Sequence, residues 1–301
     1  MPSTIADATL DHVAVAVEAW SDAWPSYAVA LGGAWSSGGL NVGFGPAQLR
    51  FSNGGRVEIL QPWRSEDNPF LRRFLDRHGP GPHHLTYKVP DLASALDDAR
   101  AAGFSPVGVD LTNADWKEAF LHPRQATGIV VQLAQATYAW ESPPPEGFPT
   151  NRREPAASLE RVTHAVADID DALALFEGLL GGRRTARGTA PDHSWEYADV
   201  EWPGPPRLRL VSPTSDAEGP GTRADTPLGA WLGHLPGRVH HLAFSIPGPH
   251  ATDAFGDHAE DARRAQVPGL GPEDASARVI EPRNNLGTRL VLLDDARQRG
   301  T

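Results

Sequence analysis

Hydrophobic and polar positions alternate with a period of two in four separated stretches of the chain. They are LDHVAVAV from Leu10, HHLTYKV from His83, LERVTHAV from Leu159 and HHLAFSI from His240. Alternation of this kind predicts strands that turn one face to a core. Each stretch is read as a strand that leads into an amphipathic helix. LASALDDARAAG from Leu92 and IDDALALFEGLLGG from Ile169 show it best, with apolar residues three and four apart. Each unit then closes on a short apolar strand: VEILQP at Val57, IVVQLAQ at Ile129, LRLVSP at Leu208 and RLVLLDD at Arg289. The distances from opening to closing strand are nearly equal. His12 to Glu58 is 46 positions, His84 to Gln132 is 48, Arg161 to Arg209 is 48 and His241 to Val291 is 50. Four units with one internal order predict an α+β repeat protein.

The clearest break is ESPPPEGFPTNRREP, Glu141 to Pro155, which is Pro-rich and charged and has no apolar period. It predicts a domain over residues 1–140, a linker over 141–157 and a second domain over 158–301. Smaller breaks fall at Arg77–Pro82 and Ser215–Thr226. Thirty glycines and 28 prolines favour many short elements over long helices.

Composition narrows the chemistry. There is no cysteine, which excludes disulfides, thiolate nucleophiles, Cys-ligated zinc and iron–sulfur clusters. The net charge of −11 argues against nucleic acid or an anionic membrane as partner. No window reaches the roughly 18 apolar residues of a membrane span. The opening MPSTIADATLDHV has no basic n-region or apolar h-region. A cytoplasmic protein with a small-molecule substrate is expected, as a monomer or homodimer. No P-loop, GxSxG or dinucleotide fingerprint is present.

Strand alternation also sorts the polar residues by face. In LDHVAVAV, Val13, Val15 and Val17 form the packing face, leaving His12, Ala14 and Ala16 on the other. In HHLTYKV the packing residues are Leu85, Tyr87 and Val89, which places His84 with Thr86 and Lys88. Glu58 points away from Val57 and Ile59, and Gln132 away from Val131 and Leu133. His12, Glu58, His84 and Gln132 thus occupy equivalent places, and converge if the first two units share one curved sheet. Two imidazoles, a carboxylate and an amide oxygen suit one divalent first-row metal.

At these residues the chain resembles the vicinal oxygen chelate superfamily, which includes glyoxalase I, methylmalonyl-CoA epimerase, bleomycin-resistance proteins and extradiol dioxygenases. LDHVAVAV, VEILQP, NPFLRRFLDRHGPGPHHLTYKV and EAFLHPRQATGIVVQL carry the resemblance over residues 10–133, nearest the glyoxalase and epimerase branch. It implies four βαβββ modules paired into two domains, each around a cleft. It also implies a metal (Zn, Ni, Co, Mn or Fe) held by His12, Glu58, His84 and Gln132. Epimerases and glyoxalases usually carry a carboxylate at the last of these positions, where this chain has Gln132. Glu58 is then the candidate base.

The second half repeats the pattern with different residues. Arg161, Arg209, His241 and Val291 stand where His12, Glu58, His84 and Gln132 stand in the first. Two arginines cannot ligate a cation, so no metal is expected there. This half is read as a degenerate domain kept for packing, or as one whose Arg161, Arg209 and His241 hold a carboxylate or phosphate. A carboxylate such as Glu196 would instead neutralise the arginines. His122, Trp116 and Trp195 are read as turn-capping or packing residues and Lys88 as solvent-facing.

The function expected is proton abstraction next to a carbonyl of a small oxygenated substrate, as in isomerases, epimerases and lyases, with a divalent metal. The alternatives are an Fe(II) ring-cleaving dioxygenase and a non-catalytic binding or resistance protein.

Overall fold

The computed structural model describes residues 3–137, 140–214, 226–248, 253–271, 274 and 276–294. All but the last residue of the break expected at Ser215–Thr226 lies outside them.

The first half folds into strands β1 (Thr9–Ala16), β2 (Ala34–Gly38), β3 (Gly43–Arg50), β4 (Arg56–Trp63), β5 (Gly81–Lys88), β6 (Val107–Asp110), β7 (Trp116–Leu121) and β8 (Val130–Ala136). The second half gives β9 (Ser158–Val166), β10 (Arg183–Thr189), β11 (Trp195–Glu201), β12 (Arg207–Pro213), β13 (Gly237–Ile246), β14 (Ala259–Asp261), β15 (Arg278–Ile280) and β16 (Leu290–Asp294). The first set forms one sheet in the order β2-β3-β4-β1-β5-β8-β7-β6. The second follows the same order, β10-β11-β12-β9-β13-β16-β15-β14. The α+β repeat read from the sequence is therefore the architecture of the chain.

Register makes the repeat residue-specific. In the parallel pair β1–β4, Ala14 lies opposite Glu58, and in β9–β12, Thr163 lies opposite Arg209. His12 and Arg161 each stand two positions before those partners. In β5–β8, Thr86 is opposite Gln132, and in β13–β16, Ala243 is opposite Val291. His84 and His241 again stand two positions earlier.

Helices cover the sheet faces. Helix α1 (Trp20–Ala23) widens into a π-type stretch over Trp24–Ala30, and α3 (Leu92–Ala101) begins on the side chain of Asp91, which accepts from the Ser94 amide at 2.8 Å. Helix α4 (Ile169–Leu173) starts in the same way on Asp168 and also widens, over Ala174–Leu179. Two further helices lie on the opposite faces. Helix α2 (Phe70–His78) places Leu71 and Leu75 on Ala14, Ala16 and Leu60, with Phe44, Phe70 and Phe74 around them. Helix α5 (Pro227–Leu232) places Leu228 and Leu232 on Ala165 and Val211, with Trp195, Tyr197 and Trp231 around them. The alanines beside His12 therefore form the floor under α2.

By packing, the chain divides into two compact units. One comprises Met1–Asp11, His84–Tyr138 and Arg161–His240, the other His12–His83, Ala139–Glu160 and His241–Thr301. In the first unit, Tyr87 packs edge-on to Trp202 with ring centroids 5.0 Å apart. Its buried His164 donates from Nε2 to the Thr127 carbonyl at 2.8 Å. In the second unit, Phe51 packs on Phe244 at 4.9 Å, and the Asn285 amide donates to Tyr27 Oη at 3.3 Å. Each unit also contains a close approach of two glycines. A Cβ on Gly128 would collide with the Gly237 backbone, and a Cβ on Gly287 would collide with the Pro80 carbonyl beside Gly81. Gly128 and Gly287 occupy matching turns, with φ of 87° and 70°, conformations that favour glycine.

The Pro-rich segment is fastened to the second unit. Trp35 Nε1 donates to the Ser142 carbonyl at 2.8 Å, and Phe148 packs edge-on against Trp24 and Trp35. Arg153 Nε donates to the Ala30 carbonyl at 2.9 Å.

Candidate metal centre

Strands β4, β1, β5 and β8 are consecutive neighbours in the first sheet. Glu58, His12, His84 and Gln132 are therefore carried on four strands side by side. One ring nitrogen from each of His12 and His84 and one carboxylate oxygen of Glu58 all lie within 4.8 Å of one another. Ligands held at about 2.0–2.2 Å by one zinc-sized ion stand roughly 4 Å or less apart, so this spacing has the scale of a metal shell. His12, Glu58 and His84 are 1%, 9% and 6% exposed. The donor set fits a divalent ion in number and hardness, with net positive charge left over. Among the described residues this is the one group of three or more His, Asp or Glu side chains with such geometry.

Gln48 on β3 supports the group from behind. Its register places it opposite Glu58. Its Nε2 stands 3.5 Å from Glu58 Oε1 and 3.4 Å from His12 Nδ1, while His12 Nε2 is 3.5 Å from Glu58 Oε2. Neighbouring His83 packs against Phe70 and Phe74 of α2, and burial pushes its pKa down to about 4.

Gln132 is buried but is occupied by hydrogen bonds. Its Oε1 accepts from Thr86 Oγ1 at 2.6 Å and its Nε2 donates to Glu118 Oε2 at 2.8 Å. Sequence reading passes over Gln48 and Glu118. Both sit on strands flanking the ones that carry the motif, and alternation along GFGPAQLR and WKEAFL is the available signal. Lys88, expected in solvent, lies over the Trp116 ring with Nζ 3.7 Å from its centroid.

In the second sheet the equivalent positions are differently used. Arg209 makes a paired contact with Asp199, Nε to Oδ1 at 2.6 Å and Nη2 to Oδ2 at 2.7 Å. Glu196, the neutralising residue suggested by sequence, instead stands 3.4 Å from Arg187. Arg161 and His241 are buried. Val291 belongs to an apolar cluster with Ala243, Ala262, Val267, Ala277 and Val279.

Residues 11–120 match the family model described as the Glyoxalase/Bleomycin resistance protein/Dioxygenase superfamily. Over nearly its whole length the chain has the fold of a 4-hydroxymandelate synthase variant from Streptomyces coelicolor, with a TM-score of 0.63 at 16% identity, covering 97% of this chain and 93% of that one. Methylmalonyl-CoA epimerase from Mycobacterium tuberculosis is 25% identical over 46% of this chain and 93% of its own, with a TM-score of 0.40. A variant of the Streptomyces coelicolor methylmalonyl-CoA epimerase is 21% identical over 45% of this chain and 99% of its own, with a TM-score of 0.38. No curated protein matches the sequence. Residues 11–120 thus carry the pattern of the glyoxalase/bleomycin-resistance/dioxygenase superfamily, and the second sheet of the chain repeats the strand order of the first.

Proposed function

We propose that this chain is a divalent-metal-dependent enzyme that abstracts a proton next to a carbonyl of a small oxygenated substrate, with an isomerase, epimerase or lyase outcome. The observation that carries the reading is the buried His12–Glu58–His84 group. His12, His84 and Glu58 would hold the ion, with the Gln132 amide oxygen as a fourth donor. Such an ion supplies Lewis-acid polarisation of a carbonyl oxygen. Glu58 serves as proton acceptor, since it is the carboxylate in the group and Gln48 holds one of its oxygens. The working domain is residues 1–140, joined by residues 141–157 to a second domain over 158–301 that holds no metal. Arg209 there is committed to Asp199, which favours packing over anion capture by Arg161, Arg209 and His241. A protein of this kind is expected to act in the cytoplasm, on a small molecule, as a monomer or homodimer.

Elemental analysis of untagged protein tests the centre. About one transition metal per chain is expected in wild type, and little or none in H12A/H84A. Solvent deuterium entering a carbonyl substrate, acyl thioesters included, supports proton transfer, and Glu58→Gln should abolish it. A second reading rests on the same donors. Two histidines and one carboxylate also make the set used by non-haem Fe(II) oxygenases. Oxygen uptake restored by Fe(II) to bleached protein would favour it. Ligand binding that survives EDTA without turnover would overturn both in favour of a binding protein.

A further inference from the structure

Five side chains on β5, β8 and β7 form a connected chain that runs through Gln132 to Thr86. Lys88 Nζ lies over the Trp116 ring, and Trp116 Nε1 donates to Glu118 Oε2 at 2.9 Å. The same carboxylate oxygen accepts from Gln132 Nε2 at 2.8 Å, and Gln132 Oε1 accepts from Thr86 Oγ1 at 2.6 Å. An indole N–H only donates and an ionised carboxylate only accepts, so the direction of these bonds is fixed. An amide is nearly symmetric in shape, and its neighbours decide which end faces which way. Here β8 lies between β5 and β7. Glu118 on β7 takes the nitrogen end, which leaves the oxygen end on the side of β5, the strand that carries His84. Turning the amide over would set its oxygen against a carboxylate and forfeit a charge-assisted hydrogen bond.

We propose that Glu118 is a positioning residue for Gln132, holding its amide oxygen toward the His84 side and raising the electron density on that oxygen through the hydrogen bond to its nitrogen. In this chain a carboxylate thus stands one hydrogen bond outward from Gln132. Carboxylates play this supporting part behind metal-bound histidines, and removing one typically costs about 10- to 100-fold in metal affinity. The inference rests on the metal reading given above.

Co(II) titration of metal-free protein, followed by visible absorption, tests it. Glu118→Gln keeps size and shape but removes the charge, and should weaken Co(II) binding about 10- to 100-fold and alter the absorption bands. The double variant E118Q/Q132E moves the carboxylate to the ligand position and should restore affinity to near the wild-type value. NMR of the Gln132 side-chain amide in the metal-free protein gives an independent readout, because its hydrogen exchange should be faster in E118Q, where a neutral amide oxygen replaces the carboxylate as acceptor. Wild-type affinity, spectrum and exchange in E118Q would overturn the inference and leave the metal reading standing. So would failure of the double variant to regain affinity while remaining folded by circular dichroism. Wild-type protein that binds Co(II) no better than H12A/H84A would overturn the metal reading, and this inference with it.

Discussion

His164 shows how a single buried side chain makes stability depend on pH. Its Nε2–H is taken by the Thr127 carbonyl, and its Nδ1 is buried with no hydrogen-bond partner among the described residues. Burial pushes its pKa from 6.5 down to about 4. Between those values the unfolded chain binds a proton that the folded chain refuses. The stability contributed is therefore complete above about pH 6.5 and is lost as pH falls toward 4, by roughly 3 kcal/mol in all. Urea unfolding at pH 4.5 and pH 7 should show the loss. In H164Q, which keeps a donor for Thr127 and does not titrate, the slope in this window should fall by about 1.4 kcal/mol per pH unit; an unchanged slope would rule His164 out. Legibility at this scale is uneven. His12, Glu58 and His84 are readable because alternation fixes the face of each strand residue and the repeat fixes its neighbours. The hydrogen bonds that occupy Gln132, and the choice of Asp199 over Glu196 for Arg209, depend on which residues of adjacent strands meet, and sequence spacing does not give that register.

Among the elements, α2 matters most to the site. Its Leu71 and Leu75 cover Ala14 and Ala16, the small residues that follow His12 along β1. Arg72 ties it to the end of β1 by paired bonds to Glu18, at 2.6 and 2.9 Å. Leu75→Ala should cost about 2–5 kcal/mol, read as a lower denaturant midpoint, and should also loosen metal binding by freeing β1. A midpoint within error of wild type would mean that α2 is a passenger. Phe70, Leu71, Phe74 and Leu75 already show helical spacing in the sequence. A repeat unit of strand, helix and strands has room for a single helix, however, so the segment reads as a motif between strands. Helices α3 and α4 are legible from their apolar period. The π-type widening after α1 and α4 is not, since an extra residue per turn shifts the apolar face without breaking its pattern.

For the whole molecule, the glycine approaches set the tolerance to change. Gly128 and Gly287 each meet another backbone stretch at a distance that leaves no room for a Cβ, and each has a positive φ. Gly128→Ala and Gly287→Ala should each destabilise by about 3 kcal/mol or more, or prevent accumulation of folded protein. A thermal midpoint within a degree or two of wild type would show that these approaches yield easily. The two-sheet architecture is legible because four equal spacings demand four equal units. The division into compact units is not, because it depends on which modules pack together rather than on which are joined by short connections.

Each compact unit draws its residues from both sides of the segment 141–157. A protease cut at the exposed Glu141, or a gene split there, would yield two fragments, each holding half of both cores. Neither fragment alone would bury Tyr87 against Trp202 or Phe51 against Phe244. The two mixed together would regain both contacts. Mixed, the two pieces would serve as a split reporter, with the burial of Trp202 against Tyr87 registering their meeting.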